Sequence, residues 1–177
     1  MLIIRLLICL FVYAPITDTW KRTETDQHIS FLMPYTPEKF SRTIGGMESF
    51  VYQTKDETCV FGIVCTDFSK GKVPLTNESV LQLYEQLRIG SLSVETAILK
   101  GEKTVEYAKM LIKEIEYSVI KDNNEMTYFK RFIFRDNMVY QISIGGRTRH
   151  WDIILEEKEI FFNSIYFKEE VNSSFAD

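Results

Sequence analysis

His28-Ile-Ser-Phe-Leu-Met-Pro-Tyr-Thr-Pro37 reads as a strand that stops at a proline turn. Ile29 to Met33 has the apolar character of a core strand, and Pro34 and Pro37 end it because proline cannot donate to a ladder. A second run, Phe161-Phe-Asn-Ser-Ile-Tyr-Phe167, stands near the other end and reads as an aromatic closing element that fills a core. The two stretches bracket alternating strands and a helical region. No linker and no repeat period interrupts that interval, so it is expected to form one domain.

Working outward, Phe40–Ile44 and Met47–Thr54 read as strands about a Gly45-Gly46 turn. Thr58–Phe68 is apolar on both faces, which predicts a central strand covered on each side. A helix is expected after Leu75, capped by Thr76 or Asn77. Its apolar face is Val80, Leu83, Tyr84 and Leu87, and Gly90 is its stop. Ser91–Leu99 reads as a second, weaker helical stretch. Strands follow at Lys103–Lys109, around Ile115–Val119, at Met126–Arg135 and from Met138 to Ile144. Turns are expected at Lys121–Asn124 and Asp136-Asn137, and Gly145-Gly146 is expected to break the last strand. Trp151 to Phe161 has helical spacing, and Ser164 onward reads as a short closing strand. Strands joined by short turns imply an antiparallel sheet. The fold class is therefore α+β: an α/β/α sandwich with a mostly antiparallel central sheet, and helices from 77–99 and 151–163 on its two faces.

The 177 residues are 45% apolar and 26% charged, a globular mixture with room for a sizeable core. The net charge of −4 offers no basic surface for nucleic acid. Residues 1–16 read as a secretory signal peptide. Arg5 supplies the positive charge, and Leu6 to Ile16 is an apolar run too short to span a bilayer. Val12-Tyr-Ala14 offers a cleavage pair, although Pro15 would follow the cut. Cys9 offers lipid anchoring as an alternative, disfavoured because Ile8 stands where a small residue is wanted. Residues 17–27 read as a polar tether, with Trp20 docking on the domain. Residues 28–168 are the folded domain, and 169–177 a flexible tail. Cys59 and Cys65 sit too far apart along one strand to bridge, about 20 Å at ~3.3 Å per residue, and read as small buried hydrophobes on one face.

The element order resembles the PsbP-like fold. Matching pieces are Phe31-Leu-Met-Pro34 with Thr36-Pro37, the strands between Val51 and Phe68 with their turn, and Met138-Val-Tyr-Gln-Ile142. Residues 147–150 leading into Phe161-Phe-Asn-Ser164 complete the set. That fold includes a photosystem II accessory subunit, a yeast nuclear protein that binds the GTPase Ran, and exported bacterial proteins of unknown role. The resemblance implies a fold and a habit of binding other macromolecules, and it implies no reaction.

Chemistry is sparse. His28 and His150 are the two histidines, and neither a G-x-S-x-G elbow, an H-E-x-x-H run, a Walker loop nor a dinucleotide fingerprint is present. Asp122-Asn-Asn-Glu125 lacks the glycine and terminal glutamate of a calcium loop and reads as a polar turn. Glu114 and Glu116 share a strand face, Glu156, Glu157 and Glu159 crowd a helix, and both groups read as solvated. Asn77-Glu-Ser79 and Asn172-Ser-Ser174 match the glycosylation pattern. The one constellation with binding character is Gly145-Gly-Arg-Thr-Arg-His-Trp151. There Arg147, Arg149, His150 and Trp151 precede a helix start, where anions and interface contacts are favoured. The expected function is an exported, non-enzymatic domain that binds a protein partner. It needs no cofactor or metal, binds no nucleic acid, and touches a membrane only through its N-terminal signal. The alternatives are a small extracytoplasmic hydrolase, a small-ligand carrier with an unrecognised pocket, and a lipid-tethered assembly factor.

Overall fold

A computed structural model describes residues 20–44, 46–69, 76–107 and 110–168. The expected signal peptide and tail lie outside the described residues. The strands are β1 (Lys21–Glu24), β2 (Ile29–Met33), β3 (Glu38–Ile44), β4 (Met47–Lys55), β5 (Cys59–Asp67), β6 (Ile98–Tyr107), β7 (Met110–Lys121), β8 (Asn124–Arg135), β9 (Met138–Arg147) and β10 (Tyr166–Phe167). The helices are α1 (Asn77–Ser91) and α2 (Trp151–Asn163). A seven-stranded antiparallel sheet runs β3-β4-β5-β9-β8-β7-β6, and a three-stranded sheet runs β1-β2-β10. The fold is α+β with mostly antiparallel strands. It is built from two meanders, β3–β5 and β6–β9, joined where β5 pairs with β9.

The β7–β8 and β8–β9 hairpins turn on Asp122-Asn123 and Asp136-Asn137, and all four residues have positive φ, between 48° and 60°. Two such residues in succession make the two-residue turn whose twist matches the flanking strands, and Asp and Asn tolerate it best after glycine.

Alternate residues of the large sheet enter two clusters. Phe61, Ile63, Phe129, Ile133, Ile142 and Ile144 pack with Ile154 and Phe161 of α2 and with Ile29, Phe31 and Met33 of β2. Tyr117, Phe132, Phe134 and Val139, of opposite parity, pack with Val80 and Tyr84 of α1. Tyr84 meets Phe132 edge-on at 5.6 Å. The small sheet is keyed to the large one by tyrosines. Tyr52 donates to Gln27 Oε1 at 2.5 Å, and Tyr140 donates to the Gln27 carbonyl at 2.9 Å. The bracketing stretches are hydrogen-bonded neighbours: Tyr166 and Phe167 pair with Ser30 and Ile29, and Ser164 Oγ accepts from the Leu32 amide at 2.9 Å.

Four expectations are corrected. The stretch read as a tether contains β1, whose pairing with β2 gives these polar residues backbone partners, and Trp20 packs edge-on against Phe61 at 5.4 Å. β5 is buried along one face, through Cys59, Phe61, Ile63 and Cys65, while the other face is covered unevenly: Val60 is 56% exposed, Val64 half-buried and Thr66 buried. The second helical stretch at 91–99 is a turn followed by β6. The Leu92 amide closes α1 on the Arg88 and Ile89 carbonyls, and Ile98 then pairs with Ser118. Cross-strand pairing overrides the weak local preference there. Gly145 and Gly146 continue β9 instead of breaking it.

Close approach explains both glycines: the Tyr128 ring lies over Gly145, and a Cβ on Gly146 would stand 2.7 Å from the Thr58 carbonyl oxygen and 3.2 Å from Ile154. Gly146→Ala is therefore expected to cost about 1–3 kcal/mol by overpacking, measured as a lower urea midpoint at unchanged slope. An unchanged midpoint would show that α2 and the Thr58 turn give way freely.

Candidate binding cleft

Trp151, Leu155, Lys158 and Phe162 follow one another at spacings of four, three and four, so they share one face of α2. Trp151 is half-buried against Phe129 at 5.6 Å, which seats the first turn of that face on β8. Beyond Trp151 a cleft of about 330 Å³ opens between α2 and the β6–β8 side of the sheet. Leu155, Lys158 and Phe162 form its helix wall, Phe129 its floor, and Lys103, Glu114 and Glu116 its sheet wall.

The charges in the cleft are held in place. Glu114 is 5% exposed. Its Oε1 accepts from Arg131 Nε at 2.7 Å and pairs with the Arg131 terminal nitrogen at 2.5 Å, while Oε2 meets Lys103 Nζ at 2.9 Å. Burial by itself would raise the Glu114 carboxyl, but Lys103 and Arg131 more than reverse that and hold it below the usual carboxylate range. Arg131 also donates to the Phe162 carbonyl at 2.8 Å and lies over the Phe162 ring at 4.6 Å. A cation at the C-terminal end of a helix completes its free carbonyls and suits its dipole, so one guanidinium ties β7, β8 and α2 together. Lys158 is buried along its stem, with Nζ over the Phe129 and Phe162 rings at 5.2 and 5.8 Å, and it donates to Glu159 at 2.7 Å. An aromatic floor beneath fixed charges can receive and orient an amphipathic segment.

Glu114 was expected in solvent, and the structure corrects this: it is the buried centre of the ion-pair network. Lys158 and Arg131 carry no motif that marks them in the sequence. The available signal is that Arg131 alternates with Phe129 and Ile133 on the core-facing side of the strand, where a charge needs a partner across the sheet. Cys59 and Cys65 are free, buried and on one face, and burial pushes the Cys65 thiol up to about 12. Asp122–Glu125 is a polar hairpin turn, with Asn124 Nδ2 donating to the Asp122 carbonyl at 2.8 Å.

Of the four residues expected to bind, Trp151 joins the cleft face. Arg147 is exposed at the end of β9, on the alternation of Val139 and so opposite to Ile142 and Ile144. Arg149 is exposed and donates from Nε to His150 Nε2 at 3.0 Å. His150 is the residue that precedes α2 and makes no side-chain capping bond. His28 lies elsewhere, on a smaller cavity of about 190 Å³ with Asp67, Arg135, Tyr140 and Lys168.

Among the described residues no helix is long and apolar enough to cross a membrane. No family model matches the chain, and no curated protein matches it in sequence. Solved structures do. The solution structure of cyanobacterial PsbP from Synechocystis is similar with a TM-score of 0.59 at 12% identity, over 84% of this chain and 92% of that one. Looser likenesses are LpqN, involved in cell envelope biogenesis of Mycobacterium tuberculosis, and a protein of unknown function from Pseudomonas aeruginosa. LpqN has a TM-score of 0.49 at 11% identity, over 88% of this chain and 82% of its own. The Pseudomonas protein has 0.43 at 10% identity, over 79% of this chain and 94% of its own. With two antiparallel meanders, a small sheet of β1, β2 and β10, and α2 packed along the large sheet, this chain has the PsbP-like fold.

Proposed function

We propose that this protein is an exported, non-enzymatic binding domain that receives a segment of another protein in the cleft beside α2. The cleft lining carries the reading. Phe129, Phe162 and Leu155 offer apolar and aromatic contact, and Lys158 and the Glu114–Arg131 pair stand fixed beside them. Aromatic and arginine side chains held in place are the groups that dominate interface energetics. Glu114 has both oxygens engaged by cations, which makes it an anchor and a poor proton shuttle. In this reading the molecule is an α/β/α sandwich with α1 on one face and the cleft on the α2 face. Arg147 and Arg149 stand exposed beside the start of α2, next to His150 and Trp151. Export rests on the apolar pattern of residues 1–16, membrane contact is confined to that segment, and the net charge of −4 supports a protein partner over nucleic acid.

The test is capture from the native envelope extract with the immobilised protein, run beside Leu155→Asp/Lys103→Ala and Arg147→Ala/Arg149→Ala. The expected result is a defined protein whose enrichment falls at least about tenfold with the first variant, a change of about 1.4 kcal/mol. A protein captured equally by the first variant would place binding outside the cleft. Equal capture by the second would remove the basic loop from the interface.

A second reading, a small-ligand carrier, is favoured by the cleft volume, which lies at the lower end of the roughly 300–1,000 Å³ of ligand pockets. A small molecule that co-purifies with the protein and leaves with Leu155→Asp would select it.

A further inference from the structure

On another side of α2, away from the cleft, the helix meets the turn between β4 and β5. Asp56 shapes that turn. Its Oδ1 accepts from the Thr58 and Cys59 amides, each at 2.7 Å, and its own amide donates to the Cys59 carbonyl at 3.0 Å. The carboxyl is therefore fixed, with its second oxygen unused by these bonds. Cys59 opens β5 with its side chain buried, 1% exposed. Its partner in register is Gly146, whose missing Cβ lets the Thr58 carbonyl and Ile154 of α2 close in. Glu157, one turn after Ile154, completes the group. One donor atom from each of Asp56, Cys59 and Glu157 lies within 4.8 Å of the other two. Glu157 Oε2 is buried and has no hydrogen-bond partner, alone in this among the described side chains. No ion pair among the described residues compensates Asp56 or Glu157.

Two carboxylates that merely share a surface turn their oxygens to water. Here one carboxylate oxygen is buried on a half-exposed residue, with the buried Cys59 thiol and the turn-locked Asp56 carboxyl as polar neighbours of the Glu157 carboxyl. We propose that Asp56, Cys59 and Glu157 are a three-ligand site for a thiophilic divalent cation of the zinc class, which pins α2 to the β4–β5 turn. The donor set selects the metal: a thiolate favours zinc-like ions over calcium and magnesium, which take oxygen alone. Zinc bonds of about 2.0–2.2 Å to oxygen and 2.3 Å to sulfur set donors about 3.4–3.8 Å apart in a tetrahedron. The three side chains therefore need to close by roughly 1 Å. Water takes the fourth position. Binding releases the thiol proton to solvent and makes one Glu157 oxygen a ligand. The site does not depend on the cleft or on what the cleft binds.

The full chain, stripped with chelator under reducing conditions, is titrated with cobalt(II) and then with zinc. One cobalt per chain is expected, with a near-ultraviolet thiolate-to-cobalt charge-transfer band that zinc abolishes by displacement. Cys59→Ser should remove the band. Glu157→Gln, at a partly exposed helix position that tolerates the change, should weaken zinc at least about 100-fold, beyond what loss of an outer-shell partner costs. Cys65→Ala and Cys9→Ser should keep the band. Absence of a band at stoichiometric cobalt, a band that follows Cys65 or Cys9, or unchanged zinc affinity in Glu157→Gln would each overturn the assignment. Should Cys59→Ser fail to fold, the Glu157→Gln affinity and the two cysteine controls decide it alone.

Discussion

Phe161→Ala is expected to destabilise the protein by about 3–5 kcal/mol, the largest effect of any single substitution considered for this chain. The side chain is 0% exposed and meets Phe61 edge-on at 5.4 Å, and Phe61 in turn takes Trp20 edge-on at 5.4 Å. One ring thus joins α2 to β5 and, through Phe61, to the residue before β1. Truncation removes the transfer free energy of the ring and leaves a cavity that the two helix turns and the sheet around it cannot close fully. Phe161 also carries the carbonyl to which Ser164 Oγ donates at 2.7 Å, and that oxygen accepts from the Leu32 amide. The substitution keeps this carbonyl, so the Ser164 bonds and the pairing of β2 with β10 remain and the loss is that of the ring packing. Thermal and urea unfolding read it: the melting temperature should fall by about 6–20 °C for a domain of this size. Tyr166→Ala, at a side chain 59% exposed, should stay within about 0.5 kcal/mol. Equal effects of the two would contradict the packing described.

Arg131→Met is expected to cost roughly 3 kcal/mol, the low end for breaking a buried pair. The variant keeps the aliphatic stem without the guanidinium and leaves Glu114 buried with Lys103 as its remaining cation. Lys103 is 61% exposed, so its attraction is screened. It also strips the Phe162 carbonyl of its donor. Replacing both partners, Arg131→Met with Glu114→Leu, should recover most of the loss, because the cost lies in the orphaned charge and not in the absence of the pair. A double variant as unstable as the single one would refute that account.

The same network sets an acid limb. The folded Glu114 carboxyl lies below its ordinary value, so the unfolded chain binds its proton first as pH falls. The stabilisation is therefore present above the ordinary carboxylate range, about pH 4.3, and is lost as pH drops through the lower folded value. Glu102 and Glu159 are also held low, Glu102 chiefly by the Tyr84 hydroxyl and Glu159 chiefly by Lys158. The part that belongs to Glu114 is therefore isolated by Glu114→Gln, whose urea midpoint should fall less steeply than the wild type's below pH 4.3, while starting lower at neutral pH.

Local rules made much of the fold legible. Ile29–Met33 before Pro34, the alternation of Met138, Tyr140, Ile142 and Ile144, and the Asp-Asn pairs at 122 and 136 each state their conformation within a few residues. Thr76 caps α1 as its hydroxyl permits, accepting from the Ser79 amide at 3.2 Å. Errors came where a distant partner overrode local preference. Lys21–Glu24 has no apolar pattern and becomes a strand because β2 offers it a ladder. Ser91–Leu99 carries helical spacing and loses it to the edge of β7. Gly145 and Gly146 look like a break and are instead room for Tyr128, the Thr58 carbonyl and Ile154.

The sites follow the same division. Arg147–Trp151 are neighbours in sequence, yet the cleft gathers residues from β6, β7, β8 and α2, and only Trp151 of that group shares its helix face. Glu114 and Arg131 stand on neighbouring strands in direct register, and Asp56 and Glu157 are 101 positions apart. The amino-acid sequence by itself determined periodicity, turns, caps and the two ends of the bracket, because each depends on steric and hydrogen-bonding preferences within a turn or a hairpin. Only the tertiary structure decided which charges lie together and away from water. The burial and the partner of a charge are set by strand register and helix docking, which no short run of residues specifies.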